Sequence, residues 1–160
     1  MVTDFTPDAT LAVPQLRHVA FSADEDFLII SAESGGGLAV YDVGGLLKGD
    51  TKPGIEVATD GTPVRTLLAN PALAQYVAVV LDSGRLIIVD VASGMTKPVP
   101  VEGVTCFAWS LKGAAFVVGF QDGTAASYLA DGFKERGSRV PCPPQAEEGY
   151  TSKYLKLHNI

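Results

Sequence analysis

The chain repeats itself, and this repeat limits its fold more than any other feature of the sequence. The segment 36–43 (GGLAVYDV) aligns with 84–91 (GRLIIVDV) at a shift of 48 positions, and a third copy begins at Gly123. Matching pieces lie upstream of the three copies, 48 and then 40 residues apart: VAFS at 19–22, LLAN at 67–70 and FAWS at 107–110. A period of about 40 to 45 residues is typical of WD40-type repeats, in which each copy forms one small sheet, or blade. The sequence therefore predicts a stack of repeated sheets.

Each copy divides into strands separated by turn residues. Inner strands are predicted at 17–22, 26–32 and 38–43, at 64–69, 75–81 and 85–91, and at 104–109, 115–120 and 124–129. The bends between them carry glycine, which tolerates the positive φ of tight turns: Gly35 to Gly37, which we expect to form a bulged hairpin turn, Gly84 and Gly123. Outer strands are predicted at 54–58, 96–101 and 138–141, where Pro98, Pro100 and Pro141 fit an edge position because proline has no N–H for a ladder.

The middle strands are apolar on both faces, as in FLII at 27–30 and VAVV at 77–80. This pattern indicates burial between two neighbouring sheets, whereas the strands of a β-sandwich would alternate apolar and polar residues. With 47% hydrophobic and 19% charged residues, the chain has ample material for a packed core. The predicted fold class is all-β, a WD40-like β-propeller fragment.

The fragment contains about three four-stranded antiparallel blades, predicted at 15–60, 61–102 and 103–144. Residues 1–14 are interpreted as a lead-in or the outer strand of a preceding blade, and 145–160 as an unassigned tail. Since propellers close with typically 4 to 8 blades, the ring is incomplete. We expect an excerpt of a longer protein; the alternatives are a ring completed by another chain or an open array with exposed apolar faces.

Charge and hydropathy exclude several classes of function. The chain has 12 Lys and Arg against 18 Asp and Glu, a net charge of -6, and no cluster of basic residues, which disfavours direct contact with nucleic acid. An acidic surface favours encounter with a basic partner protein. No apolar run is long enough for a membrane span, and the N-terminus lacks the basic and apolar character of a secretory signal. We therefore expect an intracellular protein in which Cys106 and Cys142 are reduced thiols, packed as small apolar residues.

The residues of the third copy resemble those of one particular family. The stretches that carry the resemblance are VTCFAWSLKG at 104–113, VGFQDGT at 118–124, Tyr128 with Leu129, and VPCPP at 140–144. They resemble the N-terminal β-propeller of the large cytoplasmic-filament nucleoporins, and the two earlier copies look like the preceding blades of that domain, over residues 15 to about 148. The resemblance implies a scaffold at the cytoplasmic side of the nuclear pore complex. It also implies partners, a basic surface of the DEAD-box mRNA-export helicase and other nucleoporins, but transfers no contact residue to this chain.

No motif for catalysis, metal or cofactor binding stands out. His18 and His158 are the only histidines, and the chain has no HExxH, paired CxxC, GxSxG or phosphate-binding loop. Asp42 and Asp90 recur at equivalent strand ends, so we expect them to bind turn N–H groups and not to form a catalytic pair. Trp109 ends an inner apolar strand and is expected to anchor the core. The sequence predicts a chain that is not an enzyme, with no catalytic, cofactor or metal residues.

The candidate residues for partner binding are Asp24, Glu25 and Asp26, an acidic loop tip that could meet a basic protein or could be a solvated turn. The leading hypothesis is a non-catalytic nuclear pore propeller that docks the export helicase and so supports mRNA export. The alternative is a generic WD40 adaptor in another assembly. A hydrolase with its site in the propeller channel is disfavoured, because the inner strands carry Val, Leu, Ala and Ser where such a site needs His or acidic clusters.

Overall fold

The computed structural model describes residues 6–132 and 135–141, whose strands form three four-stranded antiparallel sheets. The first sheet contains β1 (Leu16–Phe21), β2 (Phe27–Ala32), β3 (Leu38–Asp42) and β4 (Ile55–Val57). The second contains β5 (Val64–Ala69), β6 (Tyr76–Leu81), β7 (Leu86–Asp90) and β8 (Thr96–Val99), and the third β9 (Val104–Trp109), β10 (Ala115–Phe120), β11 (Thr124–Leu129) and β12 (Glu135–Pro141). Within each sheet the strands follow chain order. The predicted all-β fold of three four-stranded blades is confirmed.

Strand β6 shows why the middle strands are apolar throughout. Successive side chains of a strand face opposite sides of the sheet. Val77, Val79 and Leu81 belong to one buried cluster, which they share with the first sheet. Ala78 and Val80 belong to a second cluster, which they share with the third sheet. The second sheet is therefore buried on both faces, as its sequence predicts.

The two apolar clusters join the sheets face to face. The cluster between the first and second sheets contains Ile29, Leu38, Val40, Val57, Val64, Leu67, Val77, Val79, Leu81, Ile87, Val89 and Val91. The cluster between the second and third sheets contains Ala78, Val80, Leu86, Ile88, Val99, Val101, Val104, Phe116, Val118, Phe120, Ala126 and Tyr128. The first and the third sheets each keep one face that no other described sheet covers.

The predicted glycine turn joins β2 to β3 and packs closely against the connection between β4 and β5. Gly36 has a φ of +66°, and a Cβ atom on it would lie 2.6 Å from Oγ1 of Thr59. The amide of Gly37 donates a hydrogen bond of 2.6 Å to the same oxygen. The backbone conformation thus favours glycine here, and the lack of space for a Cβ atom requires it.

Two features differ from the sequence prediction. A five-residue helix, α1 (Val43–Leu47), follows β3 where a strand was expected to reach residue 43. The outer strands also differ in length, since β4 and β8 are shorter than predicted and β12 is longer. Pro98 lies in the edge strand β8, as expected, and Pro100 follows that strand.

The prediction that Cys106 packs as a small apolar residue is wrong, because the thiol is exposed. Its neighbours in β9, Phe107 and Trp109, pack against the cluster shared with the second sheet. Cys106 alternates with them and so lies on the uncovered face of the third sheet. Cys142, His158 and the predicted tail 145–160 lie outside the described residues.

Candidate partner-binding surface

The predicted acidic loop is the turn between β1 and β2, and Ser22 closes it. The amide of Ser22 donates to the carbonyl of Phe27 at 2.9 Å, and the amide of Phe27 donates to Oγ of Ser22 at 3.0 Å. The amide of Glu25 donates to the carbonyl of Ser22 at 2.9 Å. We call residues 22–26 the acidic turn. Its backbone is held by the buried serine, so its three carboxyl side chains are presented on an ordered loop.

The three carboxylates of the acidic turn are exposed but not equivalent. Oδ1 of Asp24 accepts hydrogen bonds from Oγ of Ser22 at 2.5 Å and from the amide of Asp26 at 3.2 Å. The serine hydrogen bond, followed by the backbone one, lowers the pKa of Asp24 below its ordinary value of 3.8. Glu25 and Asp26 have no side-chain hydrogen bond or ion pair to another residue in the described part of the chain. They are the two carboxylates of this turn that remain available to a partner.

Further carboxylates lie beside the acidic turn. The amide of Val43, the first residue of α1, donates to the carbonyl of Asp26 at 2.9 Å, which places the helix against the turn. The side chain of Asp42 caps the N-terminus of α1. The amide of Asp50 donates a hydrogen bond of 2.9 Å to the carbonyl of Gly45 in this helix. Lys48 and Lys52 lie on the same connection. Acidic side chains therefore outnumber basic ones at this end of the first sheet.

The corresponding turns of the other two sheets lie at the same end, which we call the turn rim. The amide side chain of Asn70, in the β5–β6 turn, donates to the carbonyl of Gly113 in the β9–β10 turn at 2.8 Å. The β9–β10 turn exposes Lys112 and Leu111, the latter with 90% of its surface accessible. Sequence reasoning selected the acidic turn and missed the other two, although the repeat aligns Ser22, Asn70 and Ser110 at their first positions.

The recurring aspartates have structural roles, as expected. Oδ2 of Asp42 accepts from the amide of Gly45 at 2.6 Å. Oδ1 of Asp90 accepts from the amides of Ala92 and Ser93 at 3.0 and 3.1 Å. Each carboxylate thus closes the connection that follows a third strand, and the prediction that they serve the blades is confirmed.

Trp109 anchors the junction between the second and third sheets. Its ring packs edge-on against Phe107 and Phe116, with centroids 5.1 and 5.5 Å away. Its Nε1 donates to the carbonyl of Leu68 in β5 at 2.9 Å. The tryptophan is half-buried and adds a directional bond to its apolar contacts, so the predicted core role holds.

The described residues show no arrangement typical of a catalytic or metal site. Nδ1 of His18 shares a hydrogen bond of 2.9 Å with Oγ of Ser31, and no group of three or more His, Cys, Asp or Glu in residues 6–132 and 135–141 could hold a metal ion. A groove of about 480 Å³ on the first sheet has Ile30, Tyr41, Glu56 and Asp60 in its lining, which contains no histidine or cysteine. No helix among the described residues is long and apolar enough to cross a membrane.

Comparisons with known proteins agree with this arrangement. The profile of a family described as NUP159/214 beta propeller matches residues 1–159. Nucleoporin NUP159 of Chaetomium thermophilum is 37% identical over 166 aligned residues, covering 99% of this chain and 11% of that protein. The human nuclear pore complex protein Nup214 is 30% identical over 155 residues, covering 89% of this chain and 7% of that protein. The chain spans about a tenth of the length of these relatives.

A solved structure supports the fold. A chain from the complex of Saccharomyces cerevisiae Dbp5 bound to Nup159, Gle1, IP6 and ADP superposes with a TM-score of 0.67 at 17% identity, covering 88% of this chain and 34% of that chain. At this identity the likeness concerns the fold alone. The profile match over nearly the whole chain shows that this chain belongs to the Nup159/Nup214 β-propeller family of nucleoporins, a family of structural scaffolds and not of enzymes.

Proposed function

We propose that this chain is part of a scaffold propeller at the cytoplasmic side of the nuclear pore complex, which docks the DEAD-box mRNA-export helicase and so supports mRNA export. Other nucleoporins would be further partners. The observation that carries the proposal is the complex in which Dbp5 is bound to Nup159, since a chain of that complex shares the fold of this one. The names of the relatives, a nucleoporin and a nuclear pore complex protein, support a location at the nuclear pore complex.

The acidic turn is our candidate for an electrostatic contribution to this docking. Glu25 and Asp26 are exposed and unpaired among the described residues, next to Asp42 and Asp50. Exposed charges contribute little to affinity individually, but a group of like charges accelerates encounter with an oppositely charged partner. The attraction acts over a Debye length of about 8 Å at physiological ionic strength, so it should weaken as salt is added.

The test is binding of the complete native protein to the export helicase of the same organism. The double variant Glu25→Lys with Asp26→Lys reverses the charge of the acidic turn without removing the Asp24 hydrogen bonds. Its matched control, Glu33→Lys with Glu102→Lys, makes the same change in charge at two exposed residues near the opposite ends of the strands. We expect the first variant to slow association several-fold at about 50 mM salt and to differ little from wild type at about 500 mM, where screening is strong.

Each outcome bears on a different part of the proposal. No binding by the wild-type protein would contradict helicase docking itself. Binding that is undiminished at high salt would contradict its electrostatic component. An equal loss in both double variants would show a response to net charge alone, and would remove the acidic turn as a contact.

A further inference from the structure

The three turns of the turn rim begin with equivalent residues, but one of them differs in chemistry. Oγ of Ser22 and Oγ of Ser110 each accept a hydrogen bond from the amide five residues later, at 3.0 and 3.1 Å. The second sheet has Asn70 at this position, and its side chain is almost completely buried. A buried amide must satisfy both its oxygen and its nitrogen, so its partners reveal what it holds together.

Asn70 binds its own turn with its oxygen and the next sheet with its nitrogen. Oδ1 accepts from the amides of Ala72 and Leu73 at 3.0 and 2.8 Å. Nδ2 donates to the carbonyl of Gly113 at 2.8 Å. A serine hydroxyl can also accept within its own turn, as Ser22 and Ser110 do from the amide five residues later, but it has no group that reaches across to Gly113.

Gly113 has no side chain and so leaves room for the amide group of Asn70. It is buried and has a φ of +69°, and a Cβ atom on it would lie 2.1 Å from Oδ1 of Asn70. The equivalent residue of the acidic turn, Glu25, has a similar φ of +63° but carries a side chain, so the backbone conformation alone does not demand glycine. Glycine is required at residue 113 because the side chain of Asn70 occupies the space that a Cβ atom would need.

Other polar bonds cross the same junction. The indole of Trp109 donates to the carbonyl of Leu68, the guanidinium of Arg65 donates to the carbonyl of Val104, and the amide of Val104 donates to the carbonyl of Gly84. Between the first and second sheets, by comparison, Arg17 and Asp82 form an ion pair of 3.4 Å whose side chains are 34% and 42% exposed. Such exposed pairs contribute little to stability.

We infer that Asn70 is a positioning residue that fastens the β9–β10 turn to the second sheet, so that the β5–β6 and β9–β10 turns form one rigid unit of the turn rim. The unit holds the exposed Leu111 and Lys112 in fixed positions.

The first test replaces Asn70 by the residue that the other two sheets use. Asn70→Ser keeps an acceptor for its own turn and removes the bond to Gly113. Hydrogen exchange in the complete native protein should become roughly tenfold faster at amides of residues 110–115, because a buried carbonyl loses its donor. The control is the reverse substitution, Ser22→Asn, which should leave hydrogen exchange at the amides of residues 110–115 unchanged. If Asn70→Ser accelerates exchange at 71–76 and leaves 110–115 at the wild-type rate, Asn70 acts within its own turn and the inference is wrong.

The second test is a double-mutant cycle that uses Gly113. Gly113→Ala should lower the unfolding midpoint in the wild-type background, since the new methyl group meets Asn70. With Asn70→Ser in place the same change should lower the midpoint by clearly less, because the obstructing amide is gone and the cost of a positive φ remains. Equal shifts in the two backgrounds would contradict the direct contact on which the inference depends.

Discussion

Ser22 connects the backbone of the acidic turn to its charge. Its hydroxyl oxygen accepts from the amide of Phe27, and its proton is donated to Oδ1 of Asp24 at 2.5 Å. Donation to a carboxylate stabilises the charged form, which is why the pKa of Asp24 is lowered. One buried residue thus sets both the shape of the turn and the ionisation of its first carboxylate.

The change Ser22→Ala should raise the pKa of Asp24 toward its ordinary value of 3.8, because the first cause of the shift is removed. Since folding lowers this pKa, the hydrogen bond stabilises the fold above about pH 3.8, and the stabilisation is lost as the pH falls through the folded value. The measurement is an NMR titration of the Asp24 side-chain carboxyl. Ser110→Ala, the equivalent change in the third sheet, is the control and should leave that titration unaltered. An unchanged pKa in Ser22→Ala would show that the backbone bond alone holds the carboxylate.

The role of a residue was predictable from the sequence where equivalent positions of the repeat carry the same residue in the same role. Asp42 and Asp90 recur at the same position, and both close turns. Asn70 was not predictable in this way, because its partner, Gly113, is 43 residues away and contributes a backbone carbonyl that carries no sequence signal. Cys106 was mispredicted because exposure depends on what covers the outer face of the third sheet, and no residue within that sheet determines it.

Among the elements, the helix α1 is the one that the sequence predicts least well, but its formation has a clear physical cause. Two of its five residues are glycine, which is unfavourable in a helix, so neither propensity nor periodicity predicts it. The helix follows Asp42, which has an extended backbone and whose side-chain carboxylate accepts a hydrogen bond from the amide of Gly45. Capping therefore starts a helix that composition alone disfavours.

Removing this cap should destabilise the protein measurably. We expect Asp42→Ala to lower the free energy of unfolding by about 1 kcal/mol, within the usual range of about 0.5 to 2 kcal/mol for the loss of an N-cap. Asp42→Asn retains a side-chain acceptor and should cost clearly less. Urea denaturation of the complete native protein, with both variants compared to wild type, measures the difference. Identical stability of the alanine and asparagine variants would indicate that the cap has no energetic role.

The strands differed in how well the sequence predicted them. The inner strands have long apolar runs and glycine-marked turns, and their observed bounds lie within a residue or so of expectation. The outer strands β4 and β8 are short and contain charged residues or proline, so their ends are determined by pairing with β3 and β7. Hydrophobic periodicity detects burial, and edge strands are only partly buried.

At the scale of the whole molecule, the repeat explains which apolar surface is exposed. Leu67 of β5 packs in the cluster shared with the first sheet, and Phe107 of β9 packs against the cluster shared with the second. The repeat aligns both residues with Val19 of β1, which is 59% exposed, and Phe21 beside it is 55% exposed. Val19 and Phe21 therefore occupy positions whose equivalents in the second and third sheets pack toward the sheet that precedes them in the chain. The uncovered face of the first sheet thus has the residue pattern of a face that packs against another blade.

This exposed surface leads to a prediction for residues 1–160 studied in isolation. An apolar sheet face open to water favours association, so we expect the isolated chain to self-associate and to lack a sharp, cooperative melt as a monomer. Replacing Val19 and Phe21 by lysine should reduce the association, because charge on the uncovered face opposes stacking of sheets. The same replacement of Leu47 and Leu111, which are 60% and 90% exposed on connections at the turn rim, should not. Sedimentation velocity and calorimetry on the three proteins measure both properties. A monomeric wild-type chain with a sharp transition would contradict the prediction, since it would mean that three blades bury enough apolar surface to fold without neighbours.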